Sequence, residues 1–101
     1  MSFDLRAARA QFPILHREIH GKRLAFLDSA ASAQKPLAVI EAMDGAMRVA
    51  YANVHRGLYA LANETTQAYE DARDTVARFI NAPSPDTVVF TKGATEAINL
   101  V

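Results

Sequence analysis

At 101 residues, with eleven basic residues balanced by eleven acidic ones, the chain is at most one small domain and has no charge excess of the kind that draws nucleic acid or an anionic membrane. No cysteine is present, which excludes disulfides, thiolate nucleophiles and cysteine-type zinc sites within these residues. The first eleven residues mix Asp and Arg with Ala and Leu, lacking the apolar run of a secretory leader, and no stretch reaches membrane-spanning length, so a cytoplasmic location is the expectation.

Residues 4–12 predict a short amphipathic helix, with Leu5, Ala8 and Phe12 on one face, Arg6 and Arg9 off it, and Pro13 ending it. Glu18-Ile19-His20, a turn at Gly21-Lys22, and Arg23-Leu24-Ala25-Phe26-Leu27 read as a hairpin in which Leu24 and Phe26 share a face. The small residues Asp28-Ser29-Ala30-Ala31-Ser32-Ala33 predict a loop over which another group can approach the backbone. Pro36 suits a first helical turn, and Leu37, Ile40, Met43, Met47 and Tyr51 recur at helical spacing through Asn53, with Gly45 as a weak point.

A second long helix is predicted over about residues 61–81, burying Leu61, Thr65, Tyr69, Ala72, Val76, Phe79 and Ile80 and pairing Asp74 with Arg78 on its wet face. The turn cluster Pro83-Ser84-Pro85-Asp86 then feeds Thr87-Val88-Val89-Phe90, which reads as a buried strand, and Ala97-Ile98-Asn99-Leu100-Val101 reads as an opening helix. Twenty alanines leave 28 Val, Ile, Leu, Met or Phe and three Tyr for bulky packing, a balance that suits helices laid closely on a sheet. A parallel strand near the end normally needs neighbours on both sides, and none is encoded here, so the chain reads as the beginning of something larger.

Between that strand and helix, Thr91-Lys92-Gly93-Ala94-Thr95-Glu96 has the makings of an anion cradle. Gly93 can take a positive φ, the N–H groups of Ala94, Thr95 and Glu96 would point outward, and the Thr95 hydroxyl adds a donor. The plainer alternative is a capped helix, although a capping box fails at both threonines: Thr95 meets Ile98 and Thr91 meets Ala94. A Walker loop needs Lys followed by Ser or Thr after its second glycine, whereas Lys92 precedes Gly93, and a dinucleotide fingerprint needs three glycines.

Asn53-Val54-His55-Arg56-Gly57 joins the two long helices and gathers an imidazole, a guanidinium and a glycine. It is either a carboxylate-gripping and proton-handling loop or an ordinary polar connection. His16 and His20 lie four apart, but Glu18 is displaced from the zinc-protease position and Gly21 breaks a helix there. Ser29 has neither elbow glycines nor a sequence-close base, which leaves a close-approach loop.

Leu27-Asp28-Ser29-Ala30-Ala31-Ser32-Ala33-Gln34-Lys35-Pro36, Asn53-Val54-His55-Arg56-Gly57 and Phe90-Thr91-Lys92-Gly93-Ala94-Thr95-Glu96-Ala97-Ile98-Asn99-Leu100-Val101 together resemble the start of a Suf-type cysteine desulfurase, in order and spacing. Phe12-Pro13-Ile14-Leu15 and Phe79-Ile80-Asn81-Ala82 extend the resemblance over nearly the whole chain. It implies an α/β fold: an N-terminal fragment of a fold type I transferase that uses pyridoxal 5'-phosphate, mostly helical, with a short hairpin and the first strand of the large-domain sheet. Residues 1–83 would supply small-domain segments and residues 84–101 the start of the cofactor-binding domain.

The resemblance also implies a homodimer that converts L-cysteine to L-alanine and passes sulfur, as an enzyme persulfide, to a sulfur-acceptor protein for iron–sulfur cluster assembly. Ala94 and Thr95 match the cofactor-phosphate pair, His55 and Arg56 the substrate-side loop, and Ala30 and Ala31 the small-residue loop beside the substrate. The family's Schiff-base lysine, ring-stacking histidine, pyridine-pairing aspartate and persulfide cysteine lie beyond position 101, and Lys22, Lys35 and Lys92 do not match the lysine. The 101 residues alone are therefore expected to be inactive and to fold poorly by themselves. A selenocysteine lyase or epimerase-like relative is the nearest alternative, and a non-catalytic helical interaction module the alternative from another class.

Overall fold

The computed structural model describes residues 2–101 and divides them into two compact units, one up to Val49 and one from Ala50 to Val101. In the first unit, helix α1 (Leu5–Ala10) is started by the Asp4 carboxylate, which accepts from the N–H groups of Arg6 at 2.9 Å and Ala7 at 3.0 Å. Those two donors would otherwise be left over from the first turn. Pro13 opens a short 3-10 turn, Pro13–His16, so the helical path tightens instead of continuing.

Arg9, expected to lie off the packed face, is half-buried and donates through Nη2 to the carbonyls of Leu15 at 2.9 Å and Leu24 at 2.6 Å. One guanidinium thereby ties α1 to the turn behind it and to the hairpin. The hairpin pairs β1 (Glu18–Ile19) with β2 (Lys22–Arg23), Glu18 opposite Arg23 and Ile19 opposite Lys22. Its turn is His20-Gly21, one residue before the expected Gly21-Lys22. Both residues have positive φ, 52° and 70°, which is what a two-residue turn matching the strand twist demands. The ladder stops at Arg23 and does not run to Leu27, although Leu24 and Phe26 are half-buried while Ala25 and Leu27 are exposed, as the alternation implied.

Helix α2 (Leu37–Val49) begins after Pro36, whose carbonyl accepts from Val39 and Ile40, and the Leu37 N–H reaches the Gln11 carbonyl at 2.7 Å. It ends four residues short of Asn53, and Ile40, Met43 and Met47 remain exposed along it.

The second unit is organised by helix α3 (Ala60–Phe79). Asn81 ends it: its φ of 55° is left-handed, and the Ala82 N–H turns back to the Ala77 carbonyl at 2.8 Å, a closure that the proline cluster only follows. Its covered face differs from the expected stripe. Ala62 and Ala77 are buried and Thr65, Thr66, Tyr69, Glu70, Arg73 and Val76 half-buried, whereas Leu61, Ala72, Phe79 and Ile80 are exposed. Helical spacing assigns residues to a face but not the angular sector that a neighbour covers, and here that sector is centred on small and polar side chains. Arg78 donates to the Thr75 hydroxyl at 3.2 Å, and the expected Asp74–Arg78 ion pair is absent among the described residues.

Residues 87–90 correct another expectation. Pro85–Thr87 form a 3-10 turn capped by Ser84, and the extended residues after it pair with no strand among those described. An isolated strand leaves its backbone groups without partners, and of residues 88–90 Val88 is buried while Val89 and Phe90 are exposed, so the segment is neither paired nor buried as a whole. The first strand of a large sheet is thus not formed here. Helix α4 (Ala94–Leu100) follows. Among the described residues the buried hydrophobics are Ala62, Ala77 and Val88, so very little apolar area is sequestered.

Candidate functional site

Three of the expected site segments fall in known places. Ala30 and Ala31 lie in an exposed bend of the first unit, closed by a Ser32 N–H to Asp28 carbonyl bond of 3.1 Å. The other two, the loop bearing His55 and Arg56 and the turn bearing Ala94 and Thr95, belong to the second unit.

The loop is held by α3. Its close approach is set at Gly57, where a Cβ would run into the Cβ of Ala62, itself 0% exposed. At its start, the Thr65 hydroxyl donates to the Ala50 carbonyl at 2.5 Å. His55 has a left-handed backbone, φ 66°, and its N–H donates to the Thr66 hydroxyl oxygen at 2.9 Å. The His55 ring places Nε2 2.5 Å from Glu70 Oε1, and meets the edge of Tyr69 with centroids 5.5 Å apart and planes at 89°. Arg56 is exposed and has no ion pair among the described residues.

Glu70 is itself braced. Arg73 donates through Nη1 to Glu70 Oε2 at 3.1 Å and through Nη2 to the Pro85 carbonyl at 3.2 Å. The hydrogen bond from His55, helped by the Arg73 guanidinium, holds the Glu70 carboxyl below its ordinary pKa against an opposing desolvation. Tyr69 also meets Phe90 edge-on at 5.4 Å, so α3 touches both the histidine loop and the residue just before Thr91.

At the turn, Gly93 is the N-cap of α4 and is extended, with φ 167°, so the positive φ expected of it is not used. No atom lies within 4 Å of where its Cβ would be, which leaves the backbone open to an approaching group. The N–H groups of Ala94, Thr95 and Glu96 and the Thr95 hydroxyl make no hydrogen bond among the described residues. The Glu96 carboxylate accepts from the Lys92 N–H at 2.7 Å, one residue before the N-cap, so it braces the turn without forming the capping box that was also absent at the threonines. The donor set fits a phosphate; the Glu96 carboxylate beside it is an opposing charge.

Sequence reasoning found His55 and Arg56 but not Thr66, Glu70 and Arg73. The signal was present: these three recur at i, i+4 and i+7 beside Tyr69, a polar strip bordering a covered face.

Residues 25–101 match the family described as aminotransferase class-V. The chain belongs to that family. Proteins named "Cysteine desulfurase" from Cronobacter sakazakii and Serratia proteamaculans are each 54% identical over all 101 residues of this class-V chain. One named "Probable cysteine desulfurase" from Streptomyces coelicolor is 54% identical over 97% of it. The chain spans about a quarter of the length of these relatives, 25%, 25% and 24% respectively. Among the described residues no helix is long and apolar enough to cross a membrane.

Proposed function

We propose that this class-V chain contributes cofactor- and substrate-binding residues to a cytoplasmic, homodimeric, pyridoxal 5'-phosphate-dependent cysteine desulfurase of fold type I. The observation that carries the reading is full-length similarity of the chain at 54% identity to proteins so named. When bound, the cofactor supplies an electron sink for chemistry at the substrate Cα. Ala94 and Thr95 hold its phosphate through their backbone N–H groups and the Thr95 hydroxyl. His55 and Arg56 line the substrate side, Arg56 offering an exposed guanidinium to the L-cysteine carboxylate, and the Ala30-Ala31 bend leaves room for substrate against the backbone.

Residues 84–101 open the larger, cofactor-binding domain and residues 1–83 belong to the smaller one. The 101 residues contain no cysteine, so a persulfide on its way to a sulfur-acceptor protein and iron–sulfur assembly must form elsewhere in the enzyme. Expressed from its complete reading frame and saturated with cofactor, the protein is expected to release L-alanine from L-cysteine in step with transferable sulfur, and the 101 residues by themselves to release none. A cofactor-saturated protein that leaves L-cysteine intact overturns the reading.

A further inference from the structure

We propose that Glu70 is a positioning residue: it grips His55 by Nε2, fixes the imidazole tautomer, and leaves Nδ1 as the nitrogen presented to substrate. The presentation to substrate rests on the desulfurase reading; the grip itself rests on geometry alone.

Three positions on two successive turns of α3, Thr66, Tyr69 and Glu70, address one loop residue. Thr66 fixes the His55 backbone, with its hydroxyl donating to the Ala62 carbonyl at 2.7 Å and so turned to accept the His55 N–H. Tyr69 fixes the tilt of the ring, and Glu70 fixes its rotation. An ionised carboxylate only accepts, so Nε2 carries a proton, and in the neutral form of the imidazole the lone pair is then left on Nδ1, which has no hydrogen bond among the described residues. In that form His55 can accept from the ammonium or thiol of an incoming amino acid.

A stabilising role alone accounts poorly for the arrangement. The His55 and Glu70 side chains are 50% and 36% exposed, and exposed ion pairs contribute little to stability. Yet Glu70 is held from its other oxygen by Arg73, only 19% exposed, which is anchored in turn on the Pro85 carbonyl. A carboxylate fixed at both oxygens sets a direction, as carboxylates behind functional histidines do.

The test uses the protein expressed from its complete reading frame, labelled with 15N-histidine, as wild type, Glu70→Gln and Glu70→Ala. Without cofactor turnover, the His55 ring nitrogens are expected to report the Nε2–H tautomer in the wild type and a mixture in Glu70→Ala. With cofactor, kcat/KM for L-cysteine is expected to fall about tenfold to a hundredfold in Glu70→Ala. Glu70→Gln, whose amide oxygen still accepts from Nε2–H, should recover most of that loss. Cofactor affinity and thermal unfolding should stay near wild type in Glu70→Gln. A Glu70→Ala protein that keeps both the tautomer and its kcat/KM within twofold overturns the proposal. So does a loss of activity that tracks unfolding in both variants. A wild type that ignores L-cysteine refutes the desulfurase reading instead, while the tautomer measurement still decides the grip.

Discussion

The two units of the chain are held together by different means. The first contains no buried residue among those described, and its elements are joined by backbone bonds, the Asp4 cap and the two carbonyl contacts of Arg9. The second contains all three buried hydrophobics and adds a polar line, His55 to Glu70 to Arg73 to the Pro85 carbonyl, along one helix. In the first unit polar bonds substitute for a core. In the second they sit on top of one, and there they have the freedom to orient a functional group instead of merely closing a turn.

The sharpest way to break this contrast is at the glycines. A Cβ at Gly57 meets the Ala62 Cβ and the edge of the Tyr59 ring; the exposed Tyr59 ring can swing aside, but Ala62 is fully enclosed and its Cβ moves only with the helix backbone, so that clash is not relieved cheaply. Gly57→Ala is expected to destabilise the protein by roughly 1–3 kcal/mol in urea unfolding, as overpacking does, and to shift the His55 resonances. An unchanged midpoint would mean that the second unit is as loosely packed as the first. Next in size is Arg9→Met, which keeps the aliphatic stem but leaves the Leu15 and Leu24 carbonyls without their donor. A loss of about 1–2 kcal/mol is expected, with protection from amide exchange lost selectively in the hairpin.

What the sequence disclosed and what it withheld follow the same division. Local chemistry was legible: Asp4 and Pro13 bounding α1, the glycine-bearing turn near Gly21, a break of the second long helix close to Asn81, and the two loops bearing His55 and Thr95. Pairing and coverage were not. The turn slipped by one residue because positive φ is tolerated by His20 as well as by Gly21, and alternation alone does not fix register. Residues 87–90 have the β-branched and aromatic character of a buried strand, but a ladder depends on a partner that a local pattern cannot reveal. Glu70 falls on a polar strip with Thr66 and Arg73 that helical spacing alone can reveal, but its partner shows only where the loop folds back onto α3, with His55 fifteen residues upstream of it. A partner at that separation leaves no periodic trace.

Gly45 gives the converse of Gly57. It lies inside α2 with no atom within 4 Å of the position an added methyl would take, so Gly45→Ala should stabilise the first unit by about 0.5–1 kcal/mol through reduced backbone freedom in the unfolded chain. Loss of stability would show that α2 is covered by something closely packed on Gly45.

The smallest expected effect concerns acid. The folded state holds the Glu70 carboxyl below its ordinary pKa, chiefly through the His55 hydrogen bond and then through Arg73. A lowered carboxyl pKa means that the unfolded chain binds the proton more readily, so folding is favoured above the ordinary carboxylate range and that contribution fades as pH falls through the folded value. His55→Ala should weaken the contribution and flatten the acid limb of the stability profile, whereas at low pH, with Glu70 protonated in both states, the two proteins should converge. Equal profiles across the whole range would mean that water shares the carboxylate as well as the imidazole does, which would reduce the Glu70–His55 contact to one orientation among several and remove the basis for contrasting this unit with its neighbour.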